Sequence, residues 1–148
     1  MTSPRTLTFL PKVHAALVLL AAVGAGVACG GEAFSPTTQN VAGAYTATAF
    51  TTTTGGVTTN QLAAGASLTL DLTVGGAVTG RLFLPGGAEG GANLDEDMAG
   101  TWTLTGNTVQ FDQSADTFVR DVSFVATENR LTGDDVFGGT TLHVVLTK

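Results

Sequence analysis

Reactive side chains are scarce in this 148-residue chain. Cys29 is the only cysteine, so no disulfide can form within the chain and the fold must stand on its hydrophobic core. His143 lies between Leu142 and Val144 and alternates away from their apolar face, toward solvent. No G-x-S-x-G sequence is present. Because nucleophilic catalysis needs an activated side chain with a base in reach, we expect a protein that is not an enzyme and uses no cofactor.

Positive charge is also scarce, with six lysine and arginine residues against 12 acidic residues. If residues 1–28 are removed, Arg81, Arg120, Arg130 and Lys148 remain against all 12 acids, a net charge of −8. Such a chain has no basic surface for phosphate backbones, so nucleic acid is excluded as a partner. Attraction to anionic lipid is excluded for the same reason, so membrane association would have to come from acyl chains.

The acidic residues themselves form two short clusters, Asp95-Glu96-Asp97 and Asp134-Asp135, each beside paired glycines. Oxygen-rich loops can hold calcium, but this spacing is not that of an EF-hand loop, and successive side chains point in different directions. We therefore expect solvated loop charge and no metal site.

The N-terminal segment has the pattern of a secretory signal. Residues 1–12 carry Arg5 and Lys12 and no acidic residue, and residues 13–28 are apolar apart from His14. A basic start, a short apolar run and small residues at its end are typical of a signal peptide. The alternative is a transmembrane anchor, which needs about 20 apolar residues, more than this run provides.

The end of that segment, Gly26-Val27-Ala28-Cys29-Gly30, resembles the lipobox of bacterial lipoproteins. The resemblance implies a lipoprotein signal peptide over residues 1–28, lipidation of Cys29, and an exported protein anchored to the cell membrane by that lipid. In a cell with two membranes, Gly30 after the cysteine implies the outer membrane. The alternative is ordinary cleavage that leaves Cys29 as a free thiol.

Residues 29–40 are small and polar and include Pro36, which predicts a flexible tether before a domain over residues 41–148. Within this domain, segments in which apolar and polar residues alternate predict β-strands. Leu68, Leu70, Leu72 and Val74 share one face of such a segment, and Gly75-Gly76 then provides a two-residue hairpin turn.

The domain contains eight such strands in all, each with one apolar face and one face rich in threonine and aspartate. They include a strand that places Phe118, Val122 and Phe124 on one face. Tight turns make neighbouring strands antiparallel, and eight strands in up-and-down order close into a small barrel. We therefore predict an all-β fold, an eight-stranded antiparallel up-and-down barrel. The alternative is a β-sandwich, with residues 52–65 and 85–97 crossing between its sheets.

Several short motifs resemble those of small bacterial lipocalin-like lipoproteins. They are Gly43-Ala44-Tyr45 on the first strand, Gly100-Thr101-Trp102 followed by Gly106-Asn107-Thr108-Val109, and the ending Val145-Leu146-Thr147-Lys148. The resemblance covers most of residues 41–148. It implies a lipocalin-like barrel that can hold an apolar cavity.

Three residues are candidates for ligand contact: Tyr45, Trp102 and Arg120. Strict alternation puts Arg120 on the inward face of Phe118, where it would need a carboxylate or a ligand anion, because an unpaired buried charge is costly. Alternatively it lies at the barrel rim and reaches water. Trp102 shares a face with Met98 and Leu104, where core packing is the alternative to ligand contact.

Two functions therefore stay open at this point. One is a lipid-anchored envelope protein that binds a small apolar ligand in its barrel, and the other is a structural or protein-interaction module with a filled barrel. Closure would place Lys148 near Tyr45. Small side chains at Ala44, Ala47 and Ala49 predict a pocket against the first strand, opposite residues 68–74.

Overall fold

The protein is described by a computed structural model over residues 34–148. The predicted signal peptide, Cys29 and the first part of the predicted tether lie outside this range. Within it, the helical elements are α1 (Thr38–Val41), a 3₁₀ turn (Glu89–Gly91) and α2 (Phe118–Asp121). The strands are β1 (Gly43–Thr54), β2 (Val57–Asn60), β3 (Ser67–Leu72), β4 (Ala77–Leu84), β5 (Leu94–Asp97), β6 (Gly100–Thr105), β7 (Thr108–Gln113), β8 (Phe124–Thr127), β9 (Arg130–Phe137) and β10 (Thr140–Thr147).

These strands form a closed antiparallel barrel. Its wall runs β1-β3-β4-β6-β7-β8-β9-β10 and closes where β10 pairs with β1. β5 pairs with β4 in the register that β6 continues, from Leu84–Leu94 through Arg81–Asp97 to Val78–Gly100, so β5 and β6 are two halves of one wall strand. β2 lies outside this circuit and extends a hairpin from β1. The predicted eight-stranded up-and-down barrel is confirmed, and the sandwich is wrong.

Buried and exposed side chains alternate along the strands of the wall, as the sequence pattern predicts. In β3, Leu68, Leu70 and Leu72 are buried, whereas Ser67, Thr69 and Asp71 are exposed. The Gly75-Gly76 turn follows, with Gly76 at φ 87°, a conformation that glycine adopts readily. Val74 belongs to this turn and is 55% exposed, so its predicted place on the inner face is wrong.

The first strand fills the barrel interior instead of leaving room in it. Tyr45 and Phe50 project inward and are 1% exposed, while Ala44 faces solvent. A β-bulge between Ala47 and Ala49 adds one residue, Thr48, and so turns Phe50 rather than Ala49 toward the core. The predicted pocket opposite residues 68–74 is therefore absent from the described barrel.

One end of the barrel is covered by the segment that precedes β1. Thr37 and Asn40 form a capping box at α1, in which each side chain accepts a hydrogen bond from the other residue's backbone N–H. Val41 at the end of α1 is fully buried, and Phe34 packs against the core. Residues 38–40 of the predicted tether thus belong to an ordered turn. We call this the closed end, and the turns after β3, β6 and β8 share it.

The longer connections meet at the other end, which we call the open end. Here the segment predicted as a strand over residues 118–124 is instead α2, followed by β8 from Phe124. A helical turn buries Val119 and Val122, which are three residues apart, and leaves Phe118 half-buried. A strand is predicted for this segment because its apolar residues alternate with a period of two. The same residues also fit one short helical turn, which is what forms.

Candidate functional site

A cleft of about 480 Å³ opens at this end of the barrel. It lies between α2 on one side and the paired ends of β1 and β10 on the other, with the end of β4 and the β9–β10 turn beside it. Its apolar walls come from all these elements and comprise Phe50, Leu84, Phe118, Phe137 and Leu142. The cleft is thus assembled from residues that are far apart in the sequence.

Two aromatic rings make the floor of the cleft. The ring centroids of Phe50 and Phe118 lie 5.2 Å apart at an interplanar angle of 52°. Phe50 belongs to the core, whereas Phe118 on α2 is only partly covered. Tilted aromatic pairs at this distance are favourable. The pair separates the filled interior below from a bowl above that is open to solvent.

Carboxylates and hydroxyls form the rim. Asp116 and Asp121 line the cleft together with Thr52, Thr117 and Thr140. No lysine, arginine or histidine is among the residues that line it. The rim is therefore acidic above an apolar floor.

Arg120 stands beside this rim and pairs with both carboxylates. Its Nε donates to Asp121 Oδ1 at 2.9 Å, and its guanidinium also donates to Asp116 Oδ1. Hydrogen bonds to Asp121 and Asp116 raise the pKa of Arg120 above its ordinary value. Of the two positions that the sequence left open for Arg120, the structure shows the one at the barrel rim, because α2 turns the side chain toward solvent. There it also borders a smaller outer depression with Thr101, Thr103 and Gln110.

A buried polar cluster lies near this end of the core. Gln113 is 5% exposed, and its Nε2 donates to the carbonyl of Met98 at 3.5 Å, while its Oε1 has no partner among the described residues. Thr117, which lines the cleft, donates its hydroxyl to the sulfur of Met98. Neither residue is among the candidates that the sequence pattern suggests, although alternation places Gln113 on the inner face with Val109 and Phe111.

Tyr45 lies at the closed end, away from the cleft. Its hydroxyl donates to the carbonyl of Val41 at 2.6 Å, and burial raises the pKa of Tyr45 to about 12. Lys148 Nζ lies 5.3 Å from the centroid of the Tyr45 ring, so the predicted contact is confirmed. Lys148 also donates to the carbonyls of Asn40 and Ala42, and desolvation lowers its pKa. These contacts attach Lys148, which directly follows β10, to the segment that leads into β1.

Trp102 is likewise a core residue at the closed end. It is 3% exposed, and its Nε1 donates to the carbonyl of Thr73 at 2.9 Å. The predicted packing role of Trp102 is confirmed. Neither Trp102 nor Tyr45 lines the cleft, so of the three candidates only Arg120 comes close to it.

The remaining titratable clusters are exposed pairs on the outer surface. His143 Nδ1 lies 2.6 Å from Asp134 Oδ1, and Arg81 pairs with Asp95 and Asp97 at 2.7 and 3.1 Å. Across residues 34–148, no group of three histidine, cysteine or acidic residues is arranged to hold a metal ion. Hydrogen bonding to Asp95 and Asp97 raises the pKa of Arg81.

No family model, curated protein or solved structure matches this chain. The eight-stranded antiparallel barrel is compatible with a lipocalin-like domain. Over the described part of the chain, no helix has the length and apolar character needed to cross a membrane.

Proposed function

We propose that this protein is a lipid-anchored envelope protein of lipocalin-like fold that binds a small apolar ligand in the cleft at the open end of its barrel. The observation that carries the proposal is the cleft of about 480 Å³ above the Phe50–Phe118 pair. Ligand sites typically have volumes of about 300–1,000 Å³ and mostly apolar walls. Since the interior is filled, the ligand would rest in the mouth of the barrel and not deep within it.

A second candidate function is a protein-interaction module. Large apolar side chains are exposed at the tips of two open-end hairpins, with Val57 70% and Val136 61% exposed. Exposed apolar groups mark a contact surface where they form a contiguous patch, and these two hairpins are neighbours because β1 pairs with β10. In that case the cleft would be part of a protein interface and would bind no small ligand.

Titration with an uncharged phenylnaphthylamine dye tests the first proposal on the Cys29→Ala chain, in which the barrel residues are unchanged. Phe137 is 38% exposed and lines the cleft, whereas its neighbour Val136 does not line it. We expect Phe137→Ser to weaken dye binding about tenfold, because it removes apolar contact area. Val136→Ser is the matched control and should leave binding unchanged.

Two results would reject ligand binding in the cleft. One is a folded protein that binds no dye, and the other is equal binding by wild type and Phe137→Ser. Either result would favour the interaction module.

A further inference from the structure

The charges of this barrel are distributed unequally between its two ends. The half that carries the cleft holds eight carboxylates and two arginines, a net charge of −6. The half toward the closed end holds two carboxylates and two cations, a net charge of zero, and Asp112, the fifth of the six residues of β7, is counted with neither half. The residues of the first half are Arg81, Glu89, Asp95, Glu96, Asp97, Asp116, Arg120, Asp121, Asp134 and Asp135, and those of the second are Asp71, Glu128, Arg130 and Lys148.

The carboxylates of the rim keep capacity for another cation. Arg120 engages Oδ1 of Asp116, whose side chain is 88% exposed, so Oδ2 is free to face a ligand. Asp121 is 45% exposed. Two carboxylates share one guanidinium, which leaves the rim with a net negative charge. A carboxylate can accept several hydrogen bonds at once.

The floor of the cleft favours the same kind of ligand. The faces of aromatic rings carry partial negative charge and attract cations. The Phe50–Phe118 pair lies below Asp116 and Asp121, with apolar Leu84 and Leu142 beside it. An apolar group can therefore rest on the rings while a positive group meets the carboxylates. A carboxylate or phosphate on the ligand would be repelled at the rim.

We propose that the cleft selects small amphiphiles with a positive charge, of the alkylammonium or hydrophobic amine class. This inference rests on the proposed function, since it assigns the ligand class of the same cleft. The alkyl part lies against Phe118 and Phe137, and the ammonium group meets the free Oδ2 of Asp116 at the rim. Fatty acids and other anionic amphiphiles are discriminated against.

Competition against the uncharged dye tests the inference with three probes that share one chain length: decyltrimethylammonium, decanol and decanoate, each below its micellar concentration. We expect the ammonium to displace the dye best and the decanoate worst, with about a tenfold difference between these two at low salt. Added salt should shrink the difference, because it screens charges at an exposed rim.

Substitutions locate the source of the preference. Asp116→Asn and Asp121→Asn should each reduce the ratio between ammonium and decanoate while decanol binding stays constant. Asp71→Asn at the closed end changes the net charge of the protein equally and should leave the ratio unchanged. A preference that falls equally in Asp71→Asn would overturn the assignment to the cleft.

The outcomes separate this inference from the proposed function. Equal displacement by all three probes would overturn the cation preference and leave apolar binding intact. A protein that binds no dye at all would overturn both.

Discussion

Tyr45 shows how much a single residue contributes at the closed end of this barrel. Its ring is buried beneath Lys148, and its hydroxyl is bound to the carbonyl of Val41. That hydrogen bond satisfies a carbonyl at the end of α1, where the last turn leaves acceptors without intrahelical partners. Tyr45 thereby links the first strand, the N-terminal turn and the C-terminal residue.

Tyr45 is the only tyrosine in the chain, so its ionisation can be followed directly by the ultraviolet absorbance of the phenolate. We expect a midpoint at about pH 12 in the folded protein, against about 10 in denaturant. Because the folded pKa is the higher one, the stabilisation is complete below pH 10 and is lost as the pH rises toward 12. A midpoint near 10 with unchanged circular dichroism would contradict the buried position.

Two inward residues test the strand pattern at the scale of the element. Leu70 on β3 and Trp102 on β6 are 1% and 3% exposed. We expect Leu70→Ala and Trp102→Ala each to lower the free energy of unfolding by about 2–5 kcal/mol, because they leave cavities. Denaturant titration would measure the change.

The neighbours of these residues are the matched controls. Thr69 and Thr103 lie one position away on the outer face and are exposed. Replacing either by alanine should change the free energy of unfolding by no more than about 0.5 kcal/mol. Equal effects at inner and outer positions would mean that the inward faces are misassigned.

α2 is the element for which sequence pattern and structure disagree. Val119 and Val122 are buried by helical spacing, although Phe118, Val122 and Phe124 also fit an alternating strand. A four-residue turn is too short for periodicity to distinguish the two. This local change of period places Arg120 at the rim of the cleft, the alternative to the inward position that strict alternation gives.

For the whole protein, the proposed lipid anchor at Cys29 is tested by fatty-acid labelling and membrane fractionation. Cys29→Ala should abolish fatty-acid labelling and release the protein from membranes, or leave it unprocessed. Labelling that persists in this variant would reject lipidation at Cys29.

The fold class and most of the inner surface of the barrel follow from the amino-acid pattern alone. Alternation identified Leu68, Leu70, Leu72 and Trp102 as core residues, because a strand sends successive side chains to opposite faces. Short turns between such strands imposed antiparallel neighbours, and closure then followed from the need to pair the edges of the first and last strands.

Where the barrel is filled and where it is open depends instead on long-range packing. After the bulge at Thr48, the side chains of the first strand that alternation would place outside point inward. Phe50 therefore fills the space of the predicted interior pocket. The cleft depends on Phe50, Phe118 and Phe137 meeting at one end. No local pattern encodes that meeting, because it results from the closure of the whole sheet and from how the connections pack across its end.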